Sequence, residues 1–132
     1  MGLSLGPVAA DEIEQVPPVT HAPTKQECGE CHMAYQPALL PAASWNRIMD
    51  GLSDHFGEDA SLAADLAADI RAYLTKNAGR GDPGVIRITE QRWWLREHRK
   101  IRPETWQRQE IGAKANCEAC HRDAASGIYE DD

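Results

Sequence analysis

The sequence predicts an all-α chain with long loops. Apolar residues recur at helical spacing in three stretches, clusters of Pro and Gly break the chain between them, and no stretch alternates with the period of two that a half-buried strand needs. A length of 132 residues allows one ordinary domain or two small ones whose cores would be marginal. A bulky internal ligand would relieve that shortage.

Residues 1–19 are expected to be a disordered or processed N-terminus. Gly2 to Ala10 reads GLSLGPVAA, with Val8 and Ala10 spaced as at a signal cleavage site but without a basic segment before them. This is read as the remnant of a removed export signal or the start of an expressed fragment, and it is left out of the fold.

An irregular stretch containing Pro17, Pro18 and Pro23 leads into a short helix expected over Lys25 to Met33, which Pro37 and Pro41 end. Starting at Pro41, a favourable first helical residue, Trp45, Ile48, Met49 and Leu52 stand at i, i+3, i+4 and i+7 and predict an amphipathic helix that stops by Gly57. Asp59 is the expected N-cap of a further helix, with Leu62, Leu66, Ile70 and Leu74 on one stripe and a stop at Asn77-Ala78-Gly79. Gly79, Gly81, Pro83 and Gly84 mark 79–84 as a linker between domains at 20–78 and 85–132. Beyond it, Thr89 is expected to cap a helix carrying Trp94, His98 and Ile101 that Pro103 ends, and another short helix should run into Cys117.

The net charge of −7 argues against a nucleic-acid partner, and no apolar run approaches the roughly 18 residues of a membrane span. Charge is unevenly divided, with 11 acidic against 3 basic residues up to residue 75 and 10 against 11 after it. The strongest basic run is Arg92, Arg96, Arg99, Lys100 and Arg102, either a solvated helix face or a surface for propionates or an acidic partner.

All four cysteines fall in two copies of C-x-x-C-H, Cys28-Gly29-Glu30-Cys31-His32 and Cys117-Glu118-Ala119-Cys120-His121, the attachment signature of c-type haem. Two thiols three residues apart can form thioethers to the two vinyl groups of one porphyrin, which leaves the following His under the iron. His32 and His121 are therefore the expected proximal ligands of two covalently attached haems. A Cys₄ zinc site would need its halves about 15 to 20 residues apart, whereas 85 residues separate Cys31 from Cys117. Thioredoxin-like dithiol chemistry needs neither the His nor a second copy. Because thioether attachment takes place outside the energy-transducing membrane, a bacterial periplasmic location is expected.

The stretches HAPTKQECGECHMAYQPALLPAASWNRIMDGLSDHFGEDASL, RITEQRWWLREHRKI and NCEACHRDAASGIY resemble the soluble dihaem cytochrome c family called DHC, over nearly all of residues 20–129. The resemblance implies an N-terminal domain of class I cytochrome c type joined to a smaller haem domain of its own fold. It further implies electron donation to an SHP-type monohaem cytochrome that binds oxygen.

Three His remain for two distal positions. His55, 23 residues after His32, is the expected distal ligand of haem 1, with Met49 the alternative because an axial Met raises the potential. Met49 also lies on the stripe assigned to the core, where Met usually packs. His98, 19 residues before Cys117, is expected to ligate haem 2, and His21, seven residues before Cys28, is the alternative. Trp45, Trp93, Trp94 and Trp106 are expected to pack against porphyrin or fill the core.

The function expected is that of a monomeric, non-enzymatic electron carrier with two bis-His haems, served by a membrane or periplasmic cytochrome as donor and an SHP-like acceptor. Two rivals differ in class: a haem enzyme with an open distal site, reactive toward peroxide, O₂ or NO, and an electron-transfer subunit of a periplasmic reductase. The low mean hydropathy counts against the permanent interface of the second.

Overall fold

The computed structural model describes residues 14–130. Among them are α1 (Ala22–Cys28), α2 (Ala42–Asp50), α3 (Ala64–Lys76), α4 (Arg92–Glu97) and α5 (Pro103–Trp106), with short 3₁₀ turns between. No strand occurs among the described residues, only isolated bridges between Gln15 and Ile128 and between His55 and Glu58. The all-α expectation holds. No described helix is long and apolar enough to cross a membrane.

The core forms where α2 packs on α3. Trp45, Ile48 and Met49 of α2 are buried with Leu40 against Ile70 and Leu74 of α3, as the helical spacing of these residues demands. The buried Trp45 indole donates to the Pro37 carbonyl at 2.8 Å, so its one polar atom costs little on burial.

Helix boundaries depart from expectation for local reasons. Helix α1 starts at Ala22 with Pro23 in its first turn and ends at Cys28, so Gly29 to His32 lie beyond it instead of inside a helix over Lys25 to Met33. Asp59 does not cap α3. Its carboxylate accepts from the backbone N–H and the hydroxyl of Ser61, at 3.0 and 2.5 Å, and this turn delays the helix until Ala64. Gln91, not Thr89, precedes α4, and His98 is the C-cap residue. Helix α4 ends at Glu97, well before Pro103, so Ile101 lies beyond it; Pro103 begins α5, and the expected helix before Cys117 is replaced by irregular chain and a 3₁₀ turn at Cys117–Ala119.

The segment 79–84 is fastened on both sides. Gly79 N–H donates to the Leu40 carbonyl at 2.9 Å, Asp82 N–H to Gln91 Oε1 at 2.8 Å, and Gln91 Nε2 to the carbonyls of Asp82 and Val85 at 3.1 Å each. Ser44 at the start of α2 also donates to Val85, at 2.7 Å. Gln91 and Ser44 are buried, and these bonds satisfy them.

Of the N-terminus expected to be disordered or processed, residues 1–13, including Val8 and Ala10, lie outside the described residues. Residues 14–19 lie against the C-terminal segment: Val16 N–H donates to Gly127 at 2.8 Å, Tyr129 N–H donates to Glu14 at 2.7 Å, and Val19 is buried. Gly127 allows this close approach, since a Cβ there would collide with the Val16 carbonyl oxygen.

Candidate haem sites

The first motif leaves α1 in a turn, and His32 is exposed with its Nδ1 donating to the Met33 carbonyl at 2.7 Å. That bond puts the ring proton on Nδ1 and leaves the lone pair on Nε2. His55 faces it, with ring centroids 6.3 Å apart and an interplanar angle of 32°. A two-residue turn holds His55. Its N–H donates to Glu58 at 2.6 Å, the Glu58 N–H donates back at 3.1 Å, and Phe56 and Gly57 between them have φ of 52° and 95°. Positive φ at both central positions is the turn geometry that suits two antiparallel segments, yet an aromatic residue pays conformational strain there. The Arg87 guanidinium sits 4.3 Å from the Phe56 ring centroid and braces it. Burial, then the neighbouring His32, hold the His55 pKa below the usual imidazole range, which favours the neutral form a metal requires.

The second site repeats the pairing with other supports. At the end of α4, His98 Nδ1 donates to the Trp94 carbonyl at 2.7 Å, and the ring stacks on the Trp94 indole with centroids 4.0 Å apart. His121 lies opposite, again with centroids 6.3 Å apart, but with planes at 85°. A cavity of about 170 Å³ lies here, lined by Trp94, His98, Trp106, Cys117, Cys120 and His121 among others. Trp93 Nε1 and His121 Nδ1 are buried without a partner among the described residues. Unpartnered polar atoms beside an apolar cavity mark a place where a bound group with polar substituents would satisfy them.

The spacing tests whether the residues fit such a group. An ion between two imidazoles, about 2.0 Å from each nitrogen, with each nitrogen about 1.15 Å from its ring centre, sets the centroids about 6.3 Å apart. Both His pairs have this separation. Burial raises the pKa of the Cys28 thiol and pushes that of Cys117 up to about 11. All four are free of disulfides, and no group of three or more His, Cys, Asp or Glu among the described residues could hold an ion by itself. Two His pairs, each beside a C-x-x-C, match two haems better than one zinc.

The alternative ligands lie elsewhere. Met49 is buried in the core between α2 and α3. His21 precedes α1 without a side-chain capping bond; one ring nitrogen lies 2.8 Å from Thr24 Oγ1 and the other 3.1 Å from Asp69 Oδ2, and the ring stacks on Tyr73. Trp45 also serves the core, while Trp94 and Trp106 adjoin the second cavity.

Three residues at the sites escaped the sequence reading. Tyr35 packs on His32 with centroids 5.0 Å apart, and Tyr129 meets His121 edge-on at 5.5 Å. The Tyr129 hydroxyl donates to Gln36 Oε1 at 2.6 Å, while Gln36 Nε2 donates to the Ala124 carbonyl at 2.8 Å. Burial, ahead of the negative charge of Cys117 and Glu118, pushes the Tyr35 phenol up to about 12, and burial also raises Tyr129 strongly. Only their nearness to the motifs could have drawn attention to these residues, since their contacts cross the molecule.

The helical frame, the doubled attachment motif and the two facing His pairs define a dihaem c-type cytochrome. Comparison gives the particular family: the dihaem cytochrome c family, DHC, matches residues 24–129, and the chain belongs to it. It carries two covalently bound haem c groups and has an electron-transfer role. A crystal structure of DHC purified from Rhodobacter sphaeroides is 41% identical, with a TM-score of 0.77 over 84% of this chain and 98% of that one. A diheme cytochrome c structure from the same organism is 39% identical, with a TM-score of 0.77 over 86% and 99%. The diheme cytochrome c of Shewanella baltica OS155 is 37% identical, with a TM-score of 0.76 over 83% and 86%. No curated protein matches the chain.

Proposed function

We propose that the protein is a non-enzymatic electron carrier of the bacterial periplasm that receives electrons from a membrane or periplasmic cytochrome and donates them to an SHP-like monohaem cytochrome. His32 and His55 ligate the first iron, and His121 and His98 the second. The observation that carries this is the 6.3 Å centroid separation in both pairs. Cys28 and Cys31 attach haem 1, and Cys117 and Cys120 attach haem 2. The domain at 20–78 serves the first group and that at 85–132 the second.

Haem supplies one-electron exchange between ferric and ferrous iron, at a lower potential with two imidazoles than with an axial Met. The protein orients the ligands: the carbonyls of Met33 and Trp94 hold the Nδ1 protons of His32 and His98 and so direct Nε2 toward the metal position. Two imidazoles per iron leave no position for a substrate.

Carbon monoxide tests the reading. Added to the reduced, haem-loaded protein, it should leave the visible spectrum unchanged. Binding at either haem would overturn the six-coordinate carrier in favour of a haem enzyme with an open site. For the partner, rapid mixing of the reduced protein with a ferric SHP-type cytochrome should show fast electron transfer to it. No transfer would remove that acceptor.

A further inference from the structure

We propose that Tyr35 is the residue that couples the two haem sites for electron passage between them. This rests on the assignment of His32 and on Cys117 as a thioether position of the second haem. Tyr35 follows His32 by three residues, and its ring packs on that imidazole, with centroids 5.0 Å apart and planes at 35°. Its hydroxyl donates to the Ala115 carbonyl at 2.6 Å. Ala115 stands two residues before Cys117. One side chain thus touches the ligand of one site with its ring and the attachment segment of the other with its oxygen.

An electron tunnels more readily through covalent bonds and short hydrogen bonds than across open van der Waals gaps. A single van der Waals ring contact, then the phenol, its hydrogen bond and two peptide units, make a route from His32 to Cys117 with only one through-space step. In the step, one ferrous site becomes ferric while the other ferric site becomes ferrous. No bond is made or broken, and Tyr35 keeps its proton throughout.

Tyr129 supplies a matched comparison. It touches His121 with its ring, and its hydroxyl bond at 2.6 Å ends on the Gln36 side chain, whose backbone stands four residues beyond His32. This second connection has more covalent bonds to cross before it reaches the first site. Losing its hydroxyl should therefore affect the passage less.

Pulse radiolysis of the haem-loaded protein, delivering less than one electron per molecule, followed by freeze-quench EPR on the two ferric signals, reads the redistribution rate. Tyr35→Phe keeps the half-buried ring and removes only the hydroxyl and its bond to Ala115. It should slow redistribution several-fold, with both EPR signals and both midpoint potentials unchanged, and Tyr129→Phe should slow it less. An unchanged rate in Tyr35→Phe, a fall that follows a shifted potential, or an equal fall in Tyr129→Phe would overturn the coupling role. High-spin iron in the unaltered protein would instead overturn the ligation beneath it, and the same spectra show this before any rate is measured.

Discussion

His98 and His121 face each other with centroids 6.3 Å apart and planes nearly perpendicular, at 85°, whereas His32 and His55 keep the same separation with planes only 32° apart. Ligand planes near perpendicular leave the ferric d orbitals almost degenerate, and planes closer to parallel split them. The ferric protein should therefore show one strongly anisotropic low-spin EPR signal, from the second site, and one ordinary rhombic signal, from the first. Two identical signals would contradict the ring orientations.

Removal of single imidazoles assigns each signal. His55→Ala should turn only the rhombic species high-spin, and His98→Ala only the anisotropic one. His21→Ala should change neither, because its ring nitrogens meet Thr24 and Asp69, on the face of α3. A high-spin haem in His21→Ala would displace His98 as ligand.

Gln36 joins the two halves through a buried amide that accepts from Tyr129 and donates to Ala124. Gln36→Leu keeps the volume but strands the Tyr129 hydroxyl, at a cost of about 1–3 kcal/mol for the group left unsatisfied, while the Ala124 carbonyl keeps the Gly127 N–H at 2.8 Å. Denaturant unfolding of the haem-loaded protein should show a lower midpoint at unchanged slope. An unaltered midpoint would mean that water replaces the amide.

The basic residues Arg96, Arg99 and Lys100 are exposed, in a chain whose first 75 residues are strongly acidic. Replacing all three with Glu should slow bimolecular electron transfer to an SHP-type acceptor and leave both haem spectra unchanged. The unaltered protein should lose rate as salt shortens the Debye length from about 10 Å at 0.1 M to about 3 Å at 1 M. Stopped-flow rates indifferent to both changes would move docking to the acidic half or an uncharged edge.

Much of the chemistry was legible because it is written in local spacing. The interval between paired cysteines and the His after them belongs to one short segment, so no tertiary information is needed to read a doubled haem signature. The stripe through Trp45, Ile48 and Met49 likewise predicted a buried helix face, because helical periodicity alone decides which side chains share a side. Helix ends were less legible. At Asp59 the side chain satisfied Ser61 in place of the first turn of α3, and both uses suit the same residue type.

By itself, the sequence determined the cofactor class, the number of haems, the helical class and the core stripe of α2, since all of these follow from residue spacing within a few turns of chain. The sequence favoured His55 and His98 as partners but left Met49 and His21 open; the tertiary structure put His55 opposite His32 and His98 opposite His121, turned His21 to Asp69, and brought Tyr35 and Tyr129 across between the halves. The physical reason is that these contacts join segments far apart in the chain. Their partners are selected by how the helices pack and by which buried polar groups must be satisfied, and neither condition leaves a local pattern.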